Sequence, residues 1–374
     1  MDKAENELLT RVGPGTPMGA LLRRYWWPVW FTEQVTNKPV PVRLLGEDLI
    51  LFRDPRPDSG GRLGLIERYC AHRRVSLEFG RVEAEGIRCC YHGWQYDRRG
   101  QCIDTPLEPE GSRLKDGVKL KGYDVTEAGG LVFAYLGPKP APVFPRWDLL
   151  FREAGLTVVG ADEEYCNWLQ RAENTVDQHH LCALHAAVYP QLAFKHCQVD
   201  WDPTWYGLKT VMHIPGLAAP KVDHFVFPST NRFTRARVGD PPSHDMRFRV
   251  PTDDEKTTTF WLNAYPSITD QGRLKTQGLE KRERGVYDRV PDGWWDLPSH
   301  HQDTAAQESQ GLITDRSIET LGWTDRGIAI FRKMLHEGID KVAAGKDPLG
   351  VLREDRNVID LDASMDVLDA LHPA

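Results

Sequence analysis

The chain of 374 residues has no surplus of basic residues. Its 47 lysines and arginines stand against 54 acids, for a formal charge of −7, which argues against a surface built for nucleic acid. No apolar run approaches about 18 residues, so no membrane span is expected. The first residues, MDKAENELLTRVGPGTP, lack the charged-then-apolar layout of a secretory signal. Seven cysteines are an odd number without framework spacing, which excludes a disulfide scaffold and points to a reducing, cytoplasmic setting. Repeats, low-complexity tracts, a flavin fingerprint and a four-cysteine ferredoxin spacing are also missing. What remains is a chain long enough for two domains with a substantial core.

What is there begins with Cys70-Ala71-His72 and, after sixteen residues, Cys89-Cys90-Tyr91-His92. This C-x-H-x16-C-x2-H pattern brings two thiolates and two imidazoles in two short clips, a set able to hold a zinc ion or a two-iron cluster. Zinc fingers with these donors usually keep their cysteines together and their histidines together. Here each clip carries one of each, so both cysteines can take one iron and both histidines the other. That is the Rieske [2Fe–2S] arrangement, in which neutral imidazole raises the reduction potential of a one-electron relay. Cys90-x-His92 forms a competing clip.

A second constellation, N-x2-D-x2-H-x4-H, runs from Asn174 through Asp177 and His180 to His185, with His179 beside the first histidine. Iron(II) that activates O2 is commonly held by two histidines and one carboxylate on one face, the other face open. Five steps along a regular helix turn about 500° and leave the two imidazoles about 140° apart. The helix carrying Asp177 and His180 is therefore expected to distort or end before His185.

These two segments, CAHRRVSLEFGRVEAEGIRCCYHGW at 70–94 and NWLQRAENTVDQHHLCALH at 167–185, resemble those of the Rieske non-haem iron oxygenases. Two positions depart from the family pattern: Arg74 stands where glycine is usual, and Cys90 where proline is usual. The resemblance assigns the cluster to Cys70, His72, Cys89 and His92, leaving Cys90 a spectator. It assigns iron ligation to His180 and His185, since the D-x2-H spacing selects His180 over His179. Asp177 takes the role of bridging the two metal centres, and Asn174 a position near the iron. Residues 301–325, HQDTAAQESQGLITDRSIETLGWTD, resemble the segment in which the phthalate-type branch places its third ligand. That assigns Asp303, with Glu308 and then Asp315 as runners-up.

Along the chain, PMGALLRRYWW at 17–27 suggests a short amphipathic helix. From Pro28 to Pro138 the text is strand-like, with a hairpin expected at 42–52 about Gly46-Glu47-Asp48 and a last strand at 130–136. The Pro-rich segment GPKPAPVFP at 137–145 marks a boundary. Beyond it, strands are expected at Gly207–Ile214, Met246–Val250 and Thr257–Tyr265, a loop or solvated face at 279–289, a helix from Thr324-Asp325 to Ala344 ended by Gly345 and Pro348, and a tail or arm at 353–374.

The resemblance implies an α+β protein: residues 1–27 belonging to the catalytic domain, an all-β Rieske domain at 28–138, and a helix-grip-like catalytic domain with an antiparallel sheet at 139–374. It implies the terminal oxygenase of a phthalate-type system, using O2 and electrons from a separate NAD(P)H-dependent reductase, directly or through a ferredoxin. The substrate would be a small aromatic, hydroxylated on the ring as mono- or dioxygenase products, or O- or N-dealkylated through alkyl hydroxylation. A homotrimer, or stacked trimers, is expected, with one subunit's cluster facing the neighbour's iron. The alternative, a Rieske electron carrier without oxygenase activity, leaves the second motif idle.

Overall fold

The computed structural model describes residues 1–56, 61–187, 189–190, 192–216, 219–235, 241–269, 273–285, 297 and 299–361, without the side chains of 299 and 300. The chain divides into two compact units: Arg23–Ala141, and Met1–Leu22 together with the chain from Pro142 onward.

In the first unit the strands are β1 (Trp26–Phe31), β2 (Val40–Leu44), β3 (Glu47–Arg53), β4 (Leu63–Glu67), β5 (Arg81–Glu83), β6 (Gly86–Arg88), β7 (Gln95–Asp97), β8 (Cys102–Asp104), β9 (Gly122–Ala128) and β10 (Leu131–Tyr135). They form a sheet ordered β1-β10-β9-β4-β3-β2 and a smaller one ordered β5-β6-β7-β8. The helix that precedes β1, α2 (Pro17–Leu22), stops at Leu22, short of the expected end at 27. Trp26 and Trp27 instead begin β1, paired to Tyr135 and Ala134, because aromatic residues suit a half-buried pleat better than a helix end. The β2–β3 hairpin turns at Leu45-Gly46, both at positive φ. The turn is thus earlier than Gly46-Glu47-Asp48, a two-residue loop whose twist matches the strands. Ile50, Phe52, Ile66, Leu77, Ile87 and Leu120 are fully or almost fully buried beneath the two clip cysteines. Each such side chain contributes about 1.5–3 kcal/mol by leaving water, so the loops rest on a rigid floor.

The second unit is built on strands β11 (Leu156–Glu164), β12 (Gln198–Pro203), β13 (Gly207–His213), β14 (Lys221–Val226), β15 (Thr230–Arg235), β16 (Ser243–Pro251), β17 (Thr257–Tyr265) and β18 (Leu274–Glu280). Their order is β12-β13-β14-β15-β16-β17-β11-β18. Every pairing is antiparallel except β11 with β18. Leu279 and Glu280 therefore end a strand, Glu280 on its exposed side, rather than lying in a loop, and residues 286–289 of that segment lie outside those described. The helices are α1 (Lys3–Thr10), α2 (Pro17–Leu22), α3 (Trp168–Val176), α4 (His180–Ala183), α5 (Ser299–Glu308) and α6 (Arg326–Ala343). Helix α6 ends where Gly345 turns left-handed at φ 70°. Its Phe331, fully buried, packs edge-on against Phe225, Phe227 and Trp168. Beside it, Glu173 of α3 is clamped between Arg316 and Arg332, each at 2.7 Å. Of the expected tail at 353–374, the part from 362 lies outside the described residues, while Ile359 bridges to Trp147.

Candidate active site and cluster site

The first clip follows β4, and the second joins β6 to β7. Cys70 and Cys89 are buried, whereas Cys90 is exposed. The rings of His72 and His92 meet edge to face at 4.4 Å, and His72 stacks on Trp94 at 4.6 Å. Cys70, His72, Cys89 and His92 line one small concavity with Arg73, Val75, Tyr91 and Trp94. Two buried sulfurs below and two accessible imidazoles above fit a cluster bound with its histidine side toward solvent. Burial pushes the Cys70 thiol up, and the nearby Cys89 sulfur adds to it. The hydroxyl of fully buried Tyr96 accepts the Ala71 N–H at 3.1 Å and lies 3.2 Å from Cys70 Sγ. Arg74 sits at φ 60°, which explains in physical terms why glycine suits that position.

In the other unit, α3 is capped by the Asn167 side chain, which accepts the Leu169 N–H at 3.0 Å. The helix stops at Val176, and Asp177 is extended at φ −84°, ψ 107°. The break expected before His185 thus falls ahead of His180, which opens the single turn α4. Two bonds orient the imidazoles. His180 Nδ1–H donates to the Asp177 carbonyl oxygen at 2.6 Å, and His185 Nδ1–H donates to Gln302 Oε1 at 2.9 Å. Each leaves Nε2 as the atom with a lone pair. Those Nε2 atoms lie 3.6 and 3.3 Å from the Oδ1 and Oδ2 of Asp303 on α5. His180, His185 and Asp303 offer ligand atoms all within 4.8 Å of one another. Burial raises the Asp303 carboxyl, but His185 and His180 in their protonated forms, together with Arg171, outweigh it and hold the group well below the usual carboxylate range. Two neutral nitrogens and one anionic oxygen on one face are a donor set suited to Fe(II) with open positions.

Neighbouring candidates fall elsewhere. His179 Nε2–H donates to the Cys197 carbonyl oxygen at 3.0 Å and its ring stacks toward His196. Glu308 accepts the Tyr165 N–H at 2.9 Å, and Asp315 caps the Ser317 turn at the surface. Asn174 Nδ2 donates to Asp303 Oδ1 at 3.3 Å. The Asp177 carboxylate accepts the His179 N–H at 2.9 Å, and its other oxygen lies 3.8 Å from His180 Nδ1. Sequence reasoning did not single out Gln302, although it stands in the Gln-Asp pair used to find Asp303. Nor did it find Tyr96 or the arginines of the cavity.

His180, His185 and Asp303 open onto a cavity of about 450 Å³. Phe233, Trp261 and Tyr265 supply aromatic wall, and Arg235, Arg247 and Arg249 supply positive charge. Trp261 lies over Gly160 of the neighbouring β11, where a Cβ would stand 2.2 Å from the indole. Only glycine lets the ring lie flat on the sheet there.

A cluster-binding β domain followed by a sheet with a two-histidine, one-carboxylate group defines an iron-dependent oxygenase. The chain matches the Rieske [2Fe-2S] domain family over residues 25–124. It is 34% identical to the 5,5'-dehydrodivanillate O-demethylase oxygenase subunit of Sphingobium sp. (strain NBRC 103272 / SYK-6), across 94% of this chain and 83% of that one. It is 30% identical to the phthalate 4,5-dioxygenase oxygenase subunit of Pseudomonas putida, across 92% and 88%. Among solved structures, Pseudomonas putida CBB5 NdmA superposes with a TM-score of 0.70 at 21% identity, covering 91% of this chain and all of that one. The chain belongs to the Rieske non-haem iron oxygenases, as the terminal oxygenase subunit, and its cofactors are a [2Fe–2S] cluster and a mononuclear iron. No helix among the described residues is long and apolar enough to cross a membrane.

Proposed function

We propose that this oxygenase hydroxylates a small aromatic substrate seated in the 450 Å³ cavity, on the ring or on an O- or N-alkyl group that is then lost. In this reading Cys70, His72, Cys89 and His92 hold the cluster, and His180, His185 and Asp303 hold the iron. The observation that carries it is the convergence of both Nε2 atoms and the Asp303 carboxylate at the wall of an aromatic-lined cavity. The iron supplies O2 activation and the cluster supplies electrons one at a time. The protein's own groups fix geometry. Gln302 and the Asp177 carbonyl hold the two imidazole tautomers, and Asn174 steers Asp303. Phe233, Trp261 and Tyr265 exclude water and give a flat ring its orientation.

Electrons come from an NAD(P)H-dependent reductase, directly or through a ferredoxin, since the chain carries no flavin fingerprint of its own. The seven unbridged cysteines suit work in the cytoplasm. A cyclic homotrimer would set one subunit's cluster against the neighbour's iron through Asp177. Turnover with a surrogate reductase, NADH and a panel of aromatic acids and aryl methyl ethers tests the reaction. Formaldehyde matching NADH use identifies dealkylation; hydroxylated ring without formaldehyde identifies ring attack. NADH use with neither product, across the panel, overturns the aromatic reading.

A further inference from the structure

The charged groups around the cavity are paired, with one exception. Arg171 lies 2.7 Å from Glu164, and Lys221 is bonded to Asp223. Arg235 and Arg247 share the fully buried Asp245 at 3.4 and 3.1 Å. Asp162 and Glu280 both reach Arg282, and Asp303 faces the two histidines. Arg249 of β16 also lines the cavity and is 8% exposed, yet no carboxylate among the described residues lies within ion-pair distance. Its one side-chain bond runs to Thr259 Oγ1 at 3.1 Å, and that hydroxyl is itself committed to Glu164 Oε2 at 2.7 Å. Its Nε is buried and unbonded.

A buried guanidinium without a counter-ion is costly, and arginine remains charged. Burial and the nearby Arg171 both disfavour the charge, only partly offset by Glu164. Asp303 does not balance it, because in the loaded enzyme that carboxylate faces a divalent cation. The missing anion must therefore arrive with whatever fills the cavity. A guanidinium fork matches a carboxylate in two parallel bonds, and the same cavity is lined by the aromatic rings of Tyr189, Phe233, Trp261 and Tyr265. We propose that Arg249 is the substrate-binding residue that selects an aromatic carboxylate, holding the acid group while the ring is presented to the iron. The inference rests on the aromatic-oxygenase reading and narrows it to anionic substrates.

The test uses two ring-matched pairs, 3-methoxybenzoate with 3-methoxybenzamide and 4-phenoxybenzoate with 4-phenoxybenzamide. Calorimetry on the iron-loaded protein measures binding, and NADH-driven product formation measures turnover. The acids are expected to bind the wild-type enzyme on the order of 10²-fold more tightly than the amides, the scale for leaving a buried charge unpaired. Arg249→Gln should remove that preference through KM, and Arg249→Lys should restore part of it. The wild-type comparison stands even where a variant folds poorly. Equal binding of acid and amide, no measurable binding of either acid at millimolar concentration, or an acid preference intact in Arg249→Gln each overturns the proposal. Acid-selective binding without product from any of the four supports Arg249 as the anion site and sinks the aromatic-oxygenase reading instead.

Discussion

At the scale of single residues, the cluster site poses a choice between adjacent thiols. Cys89 is buried beside Cys70 while Cys90 is exposed, so Cys89→Ser should abolish the visible absorbance of the cluster and Cys90→Ser should keep it. The reverse result would exchange their roles. Tyr96 offers a finer test. Its hydroxyl accepts the Ala71 N–H, which turns its own proton toward Cys70 Sγ. Burial and the Cys70 sulfur hold that phenol above its usual range, so it stays protonated and donates. A hydrogen bond to a cluster sulfur favours the reduced, more negative state. Tyr96→Phe should lower the midpoint potential by roughly 40 mV, the one-electron equivalent of about 1 kcal/mol. Spectroelectrochemical titration of both proteins reads the shift, and an unchanged potential in an intact cluster removes the role. At the iron, Asp303→Ala should lose mononuclear iron and turnover with the Rieske spectrum unaltered. Iron analysis and visible spectroscopy check this together.

The elements show why some of this was legible in the sequence and some was not. The two clips and the D-x2-H spacing are local, so the chain displays them directly. Even the misfit at Arg74 could be seen, because a position favouring glycine reports its backbone. The third carboxylate is not local: Gln302, next to Asp303, pairs with His185 across 117 positions, and only resemblance pointed to that stretch. Arg249 was illegible for another reason. Residues 200–290 hold many arginines, and what distinguishes this one is burial and, among the described residues, the lack of an acid within ion-pair distance, which depend on strand register. Trp26 and Trp27 were placed at the end of the helix because the amphipathic pattern of 17–25 runs on into them, although aromatic side chains favour a strand, and pairing with β10 decided it. Element geometry also carries a stability prediction. Arg74 at φ 60° costs about 1–2 kcal/mol relative to glycine. Its guanidinium over the Tyr69 ring at 5.1 Å returns only about 0.5–1 kcal/mol at an exposed site. Arg74→Gly should therefore stabilise the Rieske unit slightly, raising the temperature at which cluster absorbance is lost; a fall would mean the stacking outweighs the backbone.

At the scale of the whole molecule, the two sites sit in separate units, so catalysis requires a path by which an electron leaves one and reaches the other. The proposed trimer would supply it through Asp177. That residue is built for two tasks: its carbonyl oxygen holds His180, and its carboxylate accepts the His179 N–H and stands 3.8 Å from His180 Nδ1. Asp177→Asn separates them. The carbonyl is untouched, and an amide oxygen can still accept the His179 N–H, so the turn before α4 and the iron site should survive. What disappears is the negative charge and the second acceptor oxygen that an imidazole of a neighbouring cluster would use. The variant should keep three irons per chain and elute at three times the 42.5 kDa chain mass. With the cluster reduced beforehand, it should form little product in a single turnover. Light scattering, iron analysis and rapid-quench product measurement separate the outcomes. A trimer with normal single-turnover yield would show that Asp177 shapes the turn and nothing more. A monomer with normal yield would mean that electrons pass within one chain, and the assembly would no longer be needed to explain why the two units share a polypeptide.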